Sequence, residues 1–348
     1  MQVEELTIEG WRKVARFTDS ESGLDAIISV HDATLGPAVG GCRIFPYASF
    51  DAALADVKRL SRGMTFKNAL AGIPFGGGKA VIIADPKTQK TPALMRAFGR
   101  AVDRLGGLYY TAEDSGVSER DLHHVREETP YVAGVESRDA GGNPSPFTAR
   151  GVWRGVQAAA KHRLGRASLK DVKVAVLGVG AVGMALAELL HGEGARLVVA
   201  DIHRAAVDEA VRRFGAEAVA PQDCAAADVD VFSPCALGGA IDAATLARLK
   251  AGIVAGAANN QLATPDMDGA LLARGVLYAP DYVINAAGVI SVGLEIMGRW
   301  SKAELLARID AIADSLAGIF ERSDREGRPT GAIADEMALE IIARKRAA

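Results

Sequence analysis

Cysteine is scarce in this chain. The three present, Cys42, Cys224 and Cys235, stand far apart among 348 residues and show no spacing that would gather a metal ion. A disulfide framework and a metal centre are therefore not expected, and the low count fits thiols kept reduced in a cytoplasm. No run of about 18 uninterrupted apolar residues occurs, which argues against a membrane-spanning helix. The opening Met1-Gln2-Val3-Glu4-Glu5 is acidic where a secretory leader would be basic and then apolar, so no signal peptide is expected. Strong charge of one sign is missing too. A balance of 40 basic against 43 acidic side chains leaves −3, with no general pull toward nucleic acid or an anionic membrane. What remains is 49% hydrophobic content beside 24% charged residues, the composition of a globular chain. At about 150 residues per domain, this length suggests two.

The pattern that is present alternates strand and helix. Ala26 to Val30 and Ala80 to Ala84 are short apolar, β-branched runs. Between them Ala53, Leu54, Val57, Leu60 and Met64 recur at helical spacing. Thr91-Pro92 reads as a helix start, with Thr as cap and Pro in the first turn, and Gly106-Gly107 ends that helix before a strand at Leu108 to Ala112. Residues 136–147 break the periodicity with Gly, Pro and Asn and read as an interdomain linker, followed by a helix from about Thr148 to His162. From Lys173 onward, strands at Val174–Leu177, Leu197–Ala200, Val229–Phe232 and Ile253–Ala255 alternate with helices such as Ala181–His191 and Arg204–Phe214. That alternation implies βαβ units on a parallel sheet. Lys302–Arg346 is helical with a break at Gly327-Arg328-Pro329-Thr330-Gly331. The expected division is a first domain over 1–135, a second over 148–331, and a C-terminal helix over about 332–348 packing back on the first.

Gly178-Val179-Gly180-Ala181-Val182-Gly183 fits the pattern G-x-G-x-x-G. In a chain with 38 glycines a bare match means little, but this one follows a strand and opens a helix. There, glycines allow a tight turn and a close approach of backbone to a pyrophosphate, and the helix N-terminus offers unpaired N–H groups. Asp201 stands 18 residues after Gly183, at the end of the next strand, where an acid accepts hydrogen bonds from the adenosine ribose. A carboxylate there repels a 2′-phosphate and favours NAD over NADP, although His203 and Arg204 nearby soften that choice. The plainer explanation, a tight strand–helix turn beside a solvated Asp, does not account for strand, glycines, helix and acid together.

Lys67 and Lys79 lie in two further stretches, Gly63-Met64-Thr65-Phe66-Lys67-Asn68-Ala69 and Gly76-Gly77-Gly78-Lys79. The second is not a phosphate loop, because Ile73 replaces its first glycine and Ala80 its Ser/Thr. The triple glycine instead brings backbone close to a ligand, with Lys79 projecting at the start of a strand. One lysine in apolar surroundings can hold a carboxylate as a fixed cation, and a second can lose its proton and act as a general base. Glu113-Asp114, at the end of a predicted strand, offers a carboxylic partner for moving protons to an amine. Taken singly, each of these residues reads as a surface ion pair. Beside a dinucleotide site they are what amino-acid oxidation needs.

At this point the chain resembles the leucine/phenylalanine/valine dehydrogenase branch of the glutamate dehydrogenase superfamily over nearly its full length. The stretches that carry the likeness include Leu35-Gly36-Pro37-Ala38-Val39-Gly40-Gly41, the two lysine stretches, Thr111-Ala112-Glu113-Asp114 and Gly142-Asn143-Pro144-Ser145-Pro146. They continue through the glycine pattern, Pro234-Cys235-Ala236-Leu237-Gly238-Gly239, Ala257-Ala258-Asn259-Asn260-Gln261-Leu262 and Ala279-Pro280-Asp281-Tyr282-Val283-Ile284-Asn285-Ala286. The resemblance implies an α/β fold of two domains flanking a cleft, an N-terminal α/β substrate and oligomerisation domain and a Rossmann NAD-binding domain. It implies that Lys67 binds the substrate carboxylate beside Gly40 and Gly41, that Lys79 is the general base, and that Asp114 exchanges protons with the amine. Asn259 would sit where substrate meets nicotinamide, and Thr148 and Asn285 would orient the carboxamide. Val179, Ala181, Val182, Cys235 and Ala236 would complete the cofactor site. A homo-oligomer, such as an octamer, is also implied. Cys42 and Ala287 depart from relatives that often carry Thr or Ser, and Gly, at these positions; Cys42 reads as small-residue packing, with no His near it in sequence.

The family's side-chain pocket would fall on Val39, Ala112, Val289 and Val292. All are aliphatic, and burying an unpaired γ-carboxylate among them would cost several kcal/mol, so glutamate should be rejected. Aromatic-accepting relatives tend to have Gly where Ala112 stands, and a methyl there can crowd a ring, so the resemblance points to leucine, valine or isoleucine as substrate, with a 2-oxo acid and ammonia as products. Three readings compete: a phenylalanine-preferring enzyme on the same scaffold, a non-catalytic NAD sensor, and a 2-hydroxy-acid dehydrogenase. A sensor has no use for Lys67, Lys79 and Asp114. The last needs an imidazole acid/base, yet none of the six histidines lies in the assigned segments.

Overall fold

The computed structural model describes residues 1–135 and 144–347, so most of the linker expected at 136–147 lies outside the described residues. The chain forms two units. The first comprises Met1–Gly142, Val289–Ser301 and Ala338–Ala348, and the second Asn143–Gly288 and Lys302–Met337.

The first unit opens with an antiparallel meander of β1 (Gln2–Leu6), β2 (Lys13–Asp19) and β3 (Leu24–Asp32). Then come β4 (Ala38–Val39), β5 (Cys42–Phe45), α1 (Phe50–Leu70), β6 (Gly76–Ile83), α2 (Pro92–Asp103), β7 (Tyr109–Tyr110) and α3 (Glu119–Arg126). β6 is the centre of the sheet: it runs antiparallel to β3 and parallel to both β4 and β5. Side chains alternate across the pleat. Ile27 and Val81 meet Val14, Ala53 and Val57 on the α1 side. Ile28, Ala80 and Ile82 meet Phe98, Leu122 and Val125 on the side of α2 and α3. With both faces covered, β3 and β6 read as near-continuous apolar runs. Thr91 caps α2 by accepting from Leu94 N, with Pro92 in the first turn, as its residue types require.

The second unit begins with α4 (Ser145–Leu164) and continues with β8 (Lys173–Leu177), α5 (Ala181–Gly192), β9 (Arg196–Ala200), α6 (Arg204–Phe214) and β10 (Glu217–Ala218). It goes on through β11 (Val231–Pro234), α7 (Ala243–Arg248), β12 (Ile253–Val254), α8 (Met267–Ala273), β13 (Leu277–Tyr278) and α9 (Asp281–Ile284). The chain ends in four helices, α10 (Ala287–Ile296), α11 (Lys302–Asp310), α12 (Ile312–Glu326) and α13 (Thr330–Ala347). Every strand pair of this unit's sheet is parallel, in the order β10-β9-β8-β11-β12-β13. Counted within the unit that is 3-2-1-4-5-6, the doubly wound order whose direction reverses between β8 and β11. Ligands of such sheets bind at that reversal, outside the carboxyl ends of the strands. Among the described residues no helix is long and apolar enough to cross a membrane.

Candidate active site

In the first unit the glycine clusters of the sequence meet. β4 and β5 are two halves of one strand lying along β6, interrupted at Gly40-Gly41. The registers Val39↔Gly77 and Cys42↔Ala80 set that interruption beside Gly78-Lys79. No side chain fits there. A Cβ on Gly40 would lie 1.9 Å from Gly78 O, and one on Gly41 would lie 2.3 Å from Glu113 O and 2.9 Å from Asp114 Cβ. A Cβ on Gly77 would lie 2.0 Å from Thr65 N, so α1 also comes down onto β6. The segment after β7 is strapped alongside by Cys42 N donating to Ala112 O and Ile44 N to Ser115 O, both at 2.9 Å. Tyr109 Oη donates to Gly40 O at 2.6 Å and holds the interrupted strand from the far side.

These approaches place Lys79 Nζ 2.8 Å from Asp114 Oδ2. Lys79 is buried, at 6% exposure, and is the fourth residue of β6 rather than its first. The expected strand start was wrong because pairing with β3 and β4 extends the strand back through the glycines. Glu113 is exposed, so of the two acids Asp114 is the lysine's partner. Burial pushes the Asp114 carboxyl up, but the charges of Lys79 and Arg43 outweigh burial and hold it below the usual carboxylate range. Arg43 reaches Asp114 Oδ2 with Nε at 3.2 Å and Asp56 Oδ2 with a terminal nitrogen at 3.1 Å. Lys67 is half-buried near the end of α1, and its neighbour Asn68 donates Nδ2 to Gly76 O at 2.6 Å. Val39 and Ala112 are buried, whereas Val289 and Val292 are half-buried and share a face of α10 one turn apart. Cys42 is fully buried, and burial drives its thiol well above the usual range, which suits packing and not nucleophilic attack.

The second unit gathers the glycine turn at the sheet's reversal point. Cys235 N donates to Leu177 O at 2.7 Å, so the chain leaving β11 runs beside the chain leaving β8. Gly178 has φ +98°, and a Cβ on it would lie 2.8 Å from both N and Cβ of Ala236. A Cβ on Gly183 would lie 1.9 Å from Gly178 O. Gly180 differs. A Cβ there meets nothing within 4 Å, at the N-cap of α5, so this glycine leaves space that no part of the turn fills. Val179, Ala181 and Val182 complete the turn. Asp201 accepts from Val179 N and from His203 N, both at 2.8 Å. Each carboxylate oxygen keeps a second lone pair for a hydroxyl. These residues fit a dinucleotide: an open cradle at a helix N-terminus, with an acid at the end of the neighbouring strand. Nearby, Asn285 Nδ2 donates to Asn259 Oδ1 at 2.8 Å and to Ala257 O at 3.1 Å. Thr148 lies on α4, one turn before Gly151, whose Cα faces Ile284 beside Asn285.

The structure thus brings Lys79 to Asp114, Asn259 to Asn285, and Gly178 to Ala236 and Cys235. Sequence reasoning singled out none of Arg43, Asn68 and Tyr109. Asn68 and Arg43 stood in or next to the quoted stretches, but only the contacts show that they fasten the site.

Comparison with known proteins identifies the family. The family described as "Glu/Leu/Phe/Val dehydrogenase, dimerisation domain" matches residues 12–131, and "Glutamate/Leucine/Phenylalanine/Valine dehydrogenase" matches residues 201–345. A leucine dehydrogenase of Geobacillus stearothermophilus is 48% identical over 95% of this chain and 90% of its own length. A phenylalanine dehydrogenase of Bacillus thermotolerans is 43% identical over 93% and 86%. The crystal structure of L-tryptophan dehydrogenase from Nostoc punctiforme superposes with a TM-score of 0.87 at 42% identity, over 97% of each chain. With two family matches and relatives of this identity along almost the whole length, the chain belongs to the Glu/Leu/Phe/Val dehydrogenase family of amino-acid dehydrogenases.

Proposed function

We propose that the chain oxidatively deaminates a branched-chain aliphatic L-amino acid, leucine, valine or isoleucine, with NAD as oxidant, and that the reaction is reversible. The observation that carries this reading is the Lys79–Asp114 pair at 2.8 Å, closed in by the two glycine clusters. NAD, when bound at the glycine turn and Asp201, would supply the acceptor for the hydride that leaves the substrate Cα. Lys67 holds the substrate carboxylate, with backbone at Gly40 and Gly41 beside it. Asp114 takes a proton from the amine and passes it on. Lys79 Nζ, 2.8 Å away, having handed its own proton to Asp114, takes the proton of the water that attacks the imino acid, and Asp114 then protonates the nitrogen so that ammonia and the 2-oxo acid leave. Thr148 and Asn285 orient the carboxamide, and Asn259 is joined to Asn285 at the substrate end.

Val39, Ala112, Val289 and Val292 line the side-chain pocket in this reading. None can pair a second carboxylate, and the Ala112 methyl disfavours a ring. One methylene is worth only about 1–3 kcal/mol in such a pocket, so several aliphatic substrates share it. In this reading residues 1–135 form the substrate and oligomerisation domain, with Val289–Ser301 and the end of the C-terminal helix from Ala338 counted with it, and the rest of 148–331 the NAD domain. The matched dimerisation domain supports a homo-oligomer, and the three scattered cysteines suit a cytoplasmic one.

The test is the reverse reaction: 4-methyl-2-oxopentanoate and NADH are mixed with and without ammonia. NADH consumption that requires ammonia is expected. Consumption without ammonia would mean a 2-hydroxy-acid dehydrogenase, and NAD binding without any turnover would mean a sensor.

A further inference from the structure

Arg43 is absent from the chemistry described above, yet its guanidinium is held at both ends. Cys42 and Ile44 on either side of it are buried in the core on one face of β5, so Arg43 projects from the other. Its Nε donates to Asp114 Oδ2 at 3.2 Å, the same oxygen that Lys79 Nζ contacts at 2.8 Å. A terminal nitrogen donates to Asp56 Oδ2 at 3.1 Å. Asp56 is itself fixed, since the same oxygen accepts from Tyr47 Oη at 2.7 Å and the other accepts from Arg59 at 2.7 Å. A guanidinium is a rigid plane with five donors, so anchoring one edge sets the direction of the other.

We propose that Arg43 is a positioning residue for amino-acid oxidation, aiming the Asp114 carboxylate at Lys79 Nζ from an anchor on Asp56. This rests on the reading of Lys79 and Asp114 as the proton-transfer pair. A structural ion pair needs only one partner; here one cation spans two acids on different elements and shares an oxygen with the lysine. The groups that bear on Asp114 are Lys79 from β6, Arg43 and the Cys42 thiol from β5, Tyr109 from β7 and Glu113 beside it. Asp56 on α1 acts through Arg43. Lys79 and Arg43 are the cations that hold Asp114 charged. Without Arg43, Asp114 takes up a proton at higher pH, which narrows the range over which it accepts one from the amine.

The experiment is the pH profile of kcat/KM with L-leucine for wild type, Arg43→Gln, Arg43→Lys and Asp56→Asn. In Arg43→Gln the acid limb is expected to move up by about one pH unit, with kcat falling more than KM rises. Arg43→Lys should show only part of that shift, and Asp56→Asn a smaller one. A folded Arg43→Gln enzyme with an unmoved acid limb overturns the proposal. If that variant does not fold, an unmoved limb in Asp56→Asn overturns it equally. The carboxyl ¹³C resonance of Asp114, titrated in wild type and Arg43→Gln, separates the two claims. An inactive wild type removes the functional reading, whereas identical titrations remove the role of Arg43.

Discussion

At the scale of single residues the account turns on one buried ion pair. Lys79 lies buried at the centre of a sheet, and its partner Asp114 keeps 23% side-chain exposure. Removing one member of a buried pair typically costs about 3–5 kcal/mol, and this partial exposure puts Asp114→Asn at or below the lower end. The folded carboxyl lies below its unfolded value of about 3.9, so its contribution is complete above that value and is lost as pH falls through the folded one. Denaturation curves of wild type and Asp114→Asn should therefore differ at neutral pH, begin to converge as pH falls below about 4 and meet below the folded value; a gap that persists there would show that the charge is not what stabilises. Lys79→Ala should lower kcat by about 10²–10⁴ while NAD binding, followed by fluorescence titration, stays within about twofold. Substantial remaining turnover would remove Lys79 from the base role.

Elements show why some of this was legible in the sequence and some was not. α6 runs over the expected Arg204–Phe214 because its period is local and Gly215, at φ +62°, stops it. β8 and β9 were visible as apolar runs because both faces of a parallel sheet are covered. β1, with the polar sequence Gln-Val-Glu-Glu-Leu, is a strand only because β2 pairs with it, and two-residue β4 exists only through its neighbours β6 and β7. In the site, the lysines and glycines stand in recognisable stretches, whereas Arg43 has no local pattern and its partner Asp56 lies on another element. The glycine turn makes a testable contrast. Gly183→Ala should strain the turn by about 1–3 kcal/mol or more, because its Cβ would lie 1.9 Å from Gly178 O. Gly180→Ala meets nothing and should leave the melting temperature nearly unchanged while weakening NAD about tenfold or more, roughly 1.4 kcal/mol. Equal NAD affinity in Gly180→Ala and wild type would contradict the cradle.

Over the whole molecule, the two units carry different parts of the proposed chemistry. The first holds the Lys79–Asp114 pair, and the second holds the glycine turn, Asp201 and the Asn259–Asn285 pair. The order of strands in the second unit follows from a parallel sheet wound outward in both directions from β8, which leaves its reversal point open beside Gly178 and Cys235. Relatives named for leucine, phenylalanine and tryptophan lie at 42–48% identity, so the substrate is decided by the pocket and not by overall likeness. The most direct measurement of the central claim is the rate of NADH formation from NAD with each L-amino acid in turn. Turnover led by leucine, valine or isoleucine, with glutamate not oxidised, is the predicted result. A panel led by phenylalanine or tryptophan would contradict the aliphatic pocket and keep the chemistry, and no turnover with any amino acid would contradict the account as a whole.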